Sequence, residues 1–384
     1  VKTFEDLLAP VTVEAFERDS FGQSPQLISG DTTRFEGLFD WAELNDMLER
    51  DVLRPPRVRL IAEREPLSTD RYVNSADGTQ SLNASGLTDA LRDGAVMVID
   101  TVDRLFPKRL RGITESLSAF TRAESQVNFY CGWQASKGFK VHWDRHDVWV
   151  MQIEGEKSWE IWEPTSLHPL PGETAPEPTG DPSLVLTLTQ GDLLYVPRGW
   201  WHRAEALDGV SVHLTLGSRA PTASDFVRTM KYQRQERPEW GAPLRAGLDA
   251  SVQQEIDELT SPDALQAFLD NEAARTWTRP AFDLPAAVTV PKAAIGGSAM
   301  VKLAWTHGLE FRDNGDGTMR VSTVSLHSEC DRALQPYLAR VSGTSWQRID
   351  EIAAGIEDKN LRRKLMFFLT TLEMKSALLI RAAD

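Results

Sequence analysis

Gly191-Asp192-Leu193-Leu194-Tyr195-Val196-Pro197-Arg198-Gly199-Trp200-Trp201-His202 runs from a turn through an apolar β-segment and a Pro/Gly bend to a histidine. Gly-Asp shapes a turn and Pro-Arg-Gly ends a strand, because proline fixes φ and glycine supplies backbone conformations that other residues resist. The flanks are also extended: Leu184 to Leu188 precedes the run, and Val210 to Leu216 alternates after it. Upstream, Val141 to Ile153 is rich in Val, Trp and Ile, Glu154-Gly155-Glu156 supplies a turn, and Ser158-Trp159-Glu160-Ile161-Trp162 alternates again. Between these segments lie Pro164, Pro169, Pro171, Pro176, Pro178 and Pro182, too many for an element interior, so 163–183 is expected as a long surface loop. Several short strands with turns between them predict a barrel or sandwich.

Beyond this β region the chain changes character twice. Before it, Phe39 to Arg54 puts Trp41, Leu44, Met47 and Leu48 on one helical face and Arg57 to Ile61 alternates like a strand, which gives an α+β opening. After Gly217, Ser224 to Gln235 reads as a helix with Ser224 as N-cap, and 249–275 is dominated by Ala, Leu, Glu and Asp. Asp331 to Val341, Ser345 to Ala354 and Lys359 to Ser376 read as three more helices, the last with Leu361, Leu365, Phe368 and Leu372 on one stripe. With the strand-like Leu378-Leu379-Ile380 they suggest a winged-helix-like module. The expected division is 1–219 for the β domain with its α+β flank, 220–290 for a helical region, and 291–384 for the winged-helix-like domain.

At 384 residues, with 41% hydrophobic and 26% charged residues, the chain is long enough for two or three domains and too apolar to be largely disordered. No stretch approaches the roughly 18 apolar residues of a membrane span, and Val1-Lys2-Thr3-Phe4-Glu5-Asp6 lacks a secretion-signal layout. A cytoplasmic protein is expected, with an N-terminus processed or trimmed to Val1. Cys131 and Cys330 are too far apart for a CxxC pair and too few for a disulfide framework, so any metal must be held by His and carboxylate. The net charge of −14 argues against a general nucleic-acid binder and favours a basic partner. The acidity lies in the front of the chain, because 291–384 holds 13 basic and 11 acidic residues.

His142-Trp143-Asp144 begins a predicted strand, and period-two geometry turns His142 and Asp144 to one side. With His202 they supply two imidazoles and a carboxylate, the facial triad that leaves three coordination positions open in non-haem Fe(II) oxygenases. An HxD pair alone is a weak signal, since chance occurrences are common. The context strengthens it: the run 191–202 has the order by which a double-stranded β-helix delivers its last metal ligand.

At this point the sequence resembles the JmjC oxygenases of the cupin superfamily, and within them the ribosomal oxygenases. The resemblance lies in Asn128 to Tyr130, Gly138-Phe139 to Asp147, Gln152 to Trp159 and Gly191 to His202. It implies an α+β fold in which a double-stranded β-helix (jelly-roll, cupin or JmjC barrel) is followed by a helical dimerisation region and a C-terminal winged helix. It also implies a 2-oxoglutarate-dependent dioxygenase that uses Fe(II), 2-oxoglutarate and O2 to hydroxylate a side chain. On this resemblance His142, Asp144 and His202 match the iron ligands, and Lys157 matches the lysine that pairs with the distal carboxylate of 2-oxoglutarate. Such a buried carboxylate needs a cation, or its desolvation is costly. Thr215 matches a hydroxyl that helps this contact, and Asn128 and Tyr130 match pocket residues near cosubstrate or substrate. Bacterial relatives that hydroxylate a ribosomal-protein arginine often use an arginine in place of Lys157, so this chain is more similar to the lysine-using branch.

Blander roles compete at several positions. His146 shares the parity of His142 and Asp144 but is expected beside the metal site or facing solvent, and His213 is either a core histidine or a neighbour of the site. Asp192 is expected to shape its turn, while Trp143, Trp149, Trp159 and Trp162 are expected in barrel packing and cross-strand pairs. Trp200 and Trp201, beside a ligand, are expected at the substrate mouth. Lys359, Arg362, Arg363 and Lys364 are expected on a solvated helix face. The expectation is thus an oxygenase acting on a basic protein or peptide, such as a ribosomal protein, and forming a homodimer. Its rivals are the same chemistry on a free amino acid or natural-product intermediate, and a metal-binding cupin scaffold without turnover.

Overall fold

The computed structural model describes residues 2–50, 52–76, 79–133, 138–166, 175–207, 209–234, 250–275, 299–304, 308–323, 326–343, 345–375 and 377–381. The chain divides into two compact units, one of residues 1–117 and 125–219 and one of residues 118–124 and 220–384.

The first unit opens with helices α1 (Phe4–Leu8) and α2 (Val13–Asp19), strand β1 (Gln26–Ile28), helix α3 (Trp41–Glu49), strands β2 (Val58–Ala62) and β3 (Glu65–Pro66), hairpin β4 (Val73–Ala76) and β5 (Thr79–Leu82), helix α4 (Ala84–Arg92) and strand β6 (Val96–Ile99). Helix α5 (Pro107–Thr121) then leads into β7 (Ser125–Trp133), β8 (His142–Trp143), β9 (Asp147–Glu154), β10 (Lys157–Trp162), β11 (Leu184–Leu188), β12 (Leu193–Val196), β13 (Trp201–Ala206) and β14 (Val210–Ser218). Helix α3 starts two residues inside its sequence pattern, because Asp40 caps it by accepting from the amides of Ala42 and Glu43, and it ends at Glu49.

These strands form two sheets. One has the order β1-β12-β9-β14-β7-β6-β2-β3 and the other β11-β10-β13-β8. Alternation explains how each sheet serves two surroundings. On β7, Val127, Phe129 and Cys131 are fully buried in the core, while Asn128 and Tyr130 point to the opposite side, into a cavity lined from both sheets. On β10, Lys157, Trp159 and Ile161 turn inward and Glu160 and Trp162 stay partly exposed. The β9–β10 turn requires Gly155: its φ is +67°, and a Cβ there would come within 1.8 Å of the Val210 carbonyl oxygen. The N-terminal helices close the core over Trp149, whose ring meets Phe4 edge-on at 5.4 Å and lies 5.0 Å from Tyr195. Trp149 is therefore packing, as its place in the sequence predicts.

In the second unit, α6 (Ala223–Arg234), α7 (Ala250–Leu259) and α8 (Pro262–Arg275) occupy the helical stretches read from the sequence. The cap of α6 is Thr222 and not Ser224. Its Oγ1 accepts from the Asp225 amide while the Asp225 carboxylate accepts from the Thr222 amide, a reciprocal arrangement unavailable to Ser224. Residues 276–298 lie outside the described residues.

The end of the chain is more extended than expected. Strands β15 (Met300–Leu303), β16 (Glu310–Asp313), β17 (Thr318–Thr323), β18 (Leu326–Asp331), β19 (Gln347–Arg348) and β20 (Leu378–Arg381) make two three-stranded sheets, ordered β19-β15-β20 and β16-β17-β18. The expected helix over 331–341 shrinks to a 3₁₀ turn and α9 (Gln335–Leu338), and that over 345–354 to α10 (Ile349–Ile352), because Gln347 and Arg348 pair with β15 instead. Helix α11 (Lys359–Met374) matches its pattern, with Leu365, Phe368 and Leu372 buried and Leu361 packed against them. Its basic residues lie on the solvated side, where Arg362 pairs with Asp350 and Lys364 with Asp331.

Candidate functional site

Strand pairing brings the first two candidate ligands together. In the β13–β8 ladder His202 is the partner of His142, and Trp201 that of Trp143. The imidazole centroids lie 4.4 Å apart. Asp144 follows β8 by one residue and turns to the same side, its Oδ2 3.6 Å from His202 Nε2. One ligand atom from each of His142, Asp144 and His202 lies within 4.8 Å of the others. The Gly199 amide donates to the Asp144 carbonyl at 2.9 Å, tying the Pro-Arg-Gly bend to the other ligand-bearing segment.

The imidazoles are oriented for coordination. His142 Nδ1 lies 2.8 Å from the Lys140 carbonyl and His202 Nδ1 3.1 Å from the Trp200 carbonyl. A carbonyl only accepts, so each Nδ1 is the donor, which leaves Nε2 as the ring nitrogen that can face an ion. Burial, with His142 alongside, pushes His202 down to about 4 and keeps it neutral. Burial alone would raise Asp144, but the imidazoles of His202, His146 and His142 outweigh it and hold its carboxyl below the usual range. Two imidazole nitrogens from β8 and β13 and one carboxylate oxygen just beyond β8 suit a divalent first-row metal with open coordination positions. His146 stands outside this group. Its ring packs on Gly217, where an added Cβ would meet Cδ2 at 2.8 Å.

Lys157 lines the same cavity from β10. It is only 6% exposed, its Nζ lies 3.4 Å from His213 Nδ1, and no carboxylate among the described residues pairs with it. Burial lowers its pKa to about 8. His213 is buried and stacked on Tyr130, with centroids 4.6 Å apart and planes 4° from parallel. Burial, then the neighbouring Lys157 charge, pushes His213 well below its ordinary pKa, so it meets the ammonium as a neutral acceptor. Burial raises the Tyr130 hydroxyl, which stays protonated beside the Asn128 amide. Asn128 Oδ1 also accepts from the Thr101 amide at 2.9 Å. Thr215 pairs with Asn128 across β14 and β7.

The cavity, about 310 Å³, is lined by all seven candidate residues: His142, Asp144, His202, Lys157, Thr215, Asn128 and Tyr130. Its size falls in the range of small-molecule sites. It also includes residues that the sequence did not single out as site residues. Arg59 enters from β2, and Phe139 sits 5.7 Å from the His142 ring. Trp159, expected only in packing, lines the wall 5.9 Å from His202. The alternation of Arg57 to Ile61 sets Arg59 opposite the fully buried Val58 and Leu60, and pairing of β2 with β6 and of β6 with β7 brings it to the cavity.

Trp200 and Trp201 do not line the cavity, which corrects the expectation of a tryptophan mouth. Successive strand residues face opposite ways, so a ligand at His202 sends Trp201 to the other side of the sheet, where its Nε1 donates to Thr165 Oγ1 at 3.0 Å. Trp200 packs against the cluster of Val148, Val150 and Ile161. Asp192 shapes its turn as expected, accepting from the Thr189 amide and hydroxyl. Cys131 is buried, and burial raises its thiol pKa. Residues 167–174 of the proline-rich loop lie outside the described residues. Among the described residues no helix is long and apolar enough to cross a membrane.

Residues 105–226 match the JmjC domain family. Curated relatives include ribosomal oxygenase 1 of Homo sapiens, 29% identical over 267 residues, which are 67% of this chain and 38% of that protein. Ribosomal oxygenase 2 of Rattus norvegicus is 30% identical over 225 residues, 56% of this chain and 47% of that protein. The bifunctional lysine-specific demethylase and histidyl-hydroxylase NO66 of Drosophila pseudoobscura pseudoobscura is 28% identical over 262 residues, 66% of this chain and 27% of that protein. The chain thus spans less than half the length of these three relatives. Among solved structures, YcfD, a ribosomal oxygenase from Escherichia coli, is similar with a TM-score of 0.58 at 16% identity, covering 97% of this chain and 98% of that one. The structure of YcfD in complex with cobalt and 2-oxoglutarate is similar with a TM-score of 0.58 at 15% identity over the same shares. At these identities the likeness establishes the fold: a mixed helix and sheet JmjC or cupin architecture.

Proposed function

We propose that this chain, which carries a JmjC domain over residues 105–226, is an Fe(II)- and 2-oxoglutarate-dependent oxygenase that hydroxylates an amino-acid side chain of a protein or peptide, with a ribosomal protein as its target. The observation that carries the proposal is the pairing of two features in one cavity, the His142, Asp144 and His202 triad and the buried, carboxylate-free Lys157. A metal site alone would suit many proteins. A metal site facing a desolvated ammonium suits a ligand that is a chelator at one end and an anion at the other.

In this proposal His142 and His202 hold iron through Nε2 and Asp144 through its carboxylate, and Lys157 holds the distal carboxylate of 2-oxoglutarate with help from Thr215. When bound, iron with 2-oxoglutarate and O2 supplies the oxidation, in which 2-oxoglutarate leaves as succinate and CO2 and one oxygen atom enters a C–H bond of the substrate. The protein's share is placement. His213, neutral and stacked on Tyr130, steadies the ammonium without competing for its charge. Asn128 and Tyr130 offer uncharged polar groups to the substrate, and the apolar wall of Val148 and Val150 limits water.

We further infer a homodimer through 220–290, a winged-helix-like role for 291–384 in packing or protein contact, the domain division 1–219, 220–290 and 291–384, and a cytoplasmic location. A basic partner is supported by the acidic front of the chain. The test is direct: purified protein with Fe(II) should bind 2-oxoglutarate and convert it to succinate, and ribosomal proteins from a strain lacking the gene should lose a +16 Da modification. No binding and no succinate with any substrate mixture overturns the oxygenase; an unchanged ribosomal mass spectrum overturns the target.

A further inference from the structure

The sheet β19-β15-β20 carries its charge on one face. Val301 and Leu303 are fully buried, and Leu378 and Ile380 nearly so, which gives the inner face to the core of the second unit. Met300 and Lys302 alternate with them on β15, and Leu379 and Arg381 on β20, so these four share the outer face. Pairing completes it: Met300 stands opposite Arg348 on one side and Arg381 on the other, while Lys302 stands opposite Leu379. Trp346, just before β19, joins the same face, with the Arg381 guanidinium 4.5 Å and the Lys302 ammonium 5.7 Å from its ring centroid.

Three cations thus gather here, and among the described residues none of them pairs with a carboxylate. The acids that follow Arg348 are engaged elsewhere: Asp350 pairs with Arg362, and Glu351 accepts from the Arg348 main-chain amide. Other cations of the second unit are matched, Lys364 by Asp331, Arg332 by Asp313 and Arg320 by Asp270. Like charges held together without a counter-charge repel, so an anion from outside would stabilise this face. The face also distinguishes between kinds of anion. The ring that could stack a nucleic-acid base is engaged by Arg381 and Lys302 instead. Met300 and Leu379 set apolar atoms among the cations, which an apolar side chain would cover and a sugar–phosphate chain would not. The net charge of −14 repels a long polyanion more than a segment with a few carboxylates.

Across the strands the face reads cation, apolar, cation: Arg348, Met300 and Arg381, about 10 Å from first to last at roughly 5 Å per strand. An extended segment with carboxylate, apolar and carboxylate side chains on every second residue spans about 13 Å, and the reach of the arginine side chains closes the difference. We propose that the outer face of β19-β15-β20 is a docking surface for a partner protein, and that it takes an extended acidic segment presenting carboxylates on either side of an apolar residue. The proposal does not depend on the oxygenase reading. The acidity that favours a basic substrate lies ahead of residue 291, outside this sheet.

The experiment is fluorescence anisotropy on the full chain with four labelled probes: the capped peptide Glu-Ser-Leu-Ser-Glu-Ser-Leu-Ser-Glu, its counterpart with Lys for each Glu, its counterpart with Ser for each Leu, and octauridylate. The expected result is saturable binding of the first peptide, about tenfold or more tighter than the other three and weakening as salt rises. Arg348→Glu, at the exposed cation, and Lys302→Glu should each weaken it about tenfold or more. Arg332→Gln, which removes a cation already matched by Asp313, should leave it within about twofold. Thermal unfolding reports whether each variant is folded, and the exposed Arg348 side chain keeps the test decisive if Lys302→Glu is not. No saturable binding of the first peptide, binding of any other probe as tightly, or wild-type affinity in folded Arg348→Glu overturns the proposal.

Discussion

On the outer face of the sheet formed by β11, β10, β13 and β8, charge is matched locally: Arg203 pairs with Glu160 and lies over the Trp162 ring, and Arg64 pairs with Glu205. On the inner face of the same strands, Lys157 lies buried without a carboxylate, and His202 faces Asp144 and His142. The strands alternate between these two regimes residue by residue. The outer pairs are partly exposed and screened, so they contribute little beyond local order. The inner charges are desolvated, and their costs make sense only if ligands complete them.

Four measurements put that contrast to the test. The largest effect should come from the triad: His202→Ala or Asp144→Ala should lower metal affinity by more than about 100-fold, read by titration with Mn(II) or Co(II). Retained affinity would show that the three side chains do not act as one site. Next, Lys157→Met should weaken 2-oxoglutarate binding by about 100-fold while leaving metal affinity within a few-fold, since one charge-assisted contact is lost and the triad is untouched. A matching loss of both would mean that the lysine supports the barrel rather than the ligand.

The same variant tests stability. The folded pKa of Lys157, about 8, lies below the unfolded value of 10.5, so between these values the unfolded state binds more protons. Wild-type stability should therefore rise from about pH 8 to pH 10.5 relative to Lys157→Met, by on the order of 2–3 kcal/mol, in chemical denaturation at stepped pH. The affinity for 2-oxoglutarate should move the opposite way, constant below about pH 8 and falling roughly tenfold per pH unit above it as the ammonium is lost. A flat profile in both would mean that the lysine is solvated. The smallest effect belongs to the outer face: Glu160→Gln should change stability by no more than about 1 kcal/mol and leave both ligand affinities unchanged.

The convergence of His142, Asp144 and His202 was legible because its signals are local. An HxD spacing and the turn, strand, bend and histidine order of 191–202 are read within a few residues, and strand parity carries them to one side. The same parity, applied to Trp201, predicts the outward face that the structure shows, so the tryptophan-mouth expectation failed by following sequence proximity to His202 instead. Arg59 was missed for a different reason. Its approach to the cavity depends on β2 pairing with β6 and β6 with β7, long-range contacts that no local pattern encodes. The meander of β16, β17 and β18 escaped notice because Thr-Met-Arg-Val-Ser-Thr and Leu-His-Ser-Glu-Cys-Asp are too polar to stand out as strands. Thr222 was passed over as a cap because Ser224 stands nearer the apolar run, although Asp225 completes the reciprocal bond only with Thr222.

The amide of Gly199 reaches the Asp144 carbonyl, and each triad imidazole is pinned by the carbonyl two residues before it, in the segment that leads into its strand. One restraint joins main chain to main chain and two join an imidazole to the main chain, so all three are made by the protein itself. The cage is thus assembled during folding and waits for its occupant, so stripping the ion with a chelator should leave an intact protein that regains its site by simple reloading. A metal site built this way would keep its shape through cycles of emptying and refilling, because its geometry is set by the polypeptide and not by the ion.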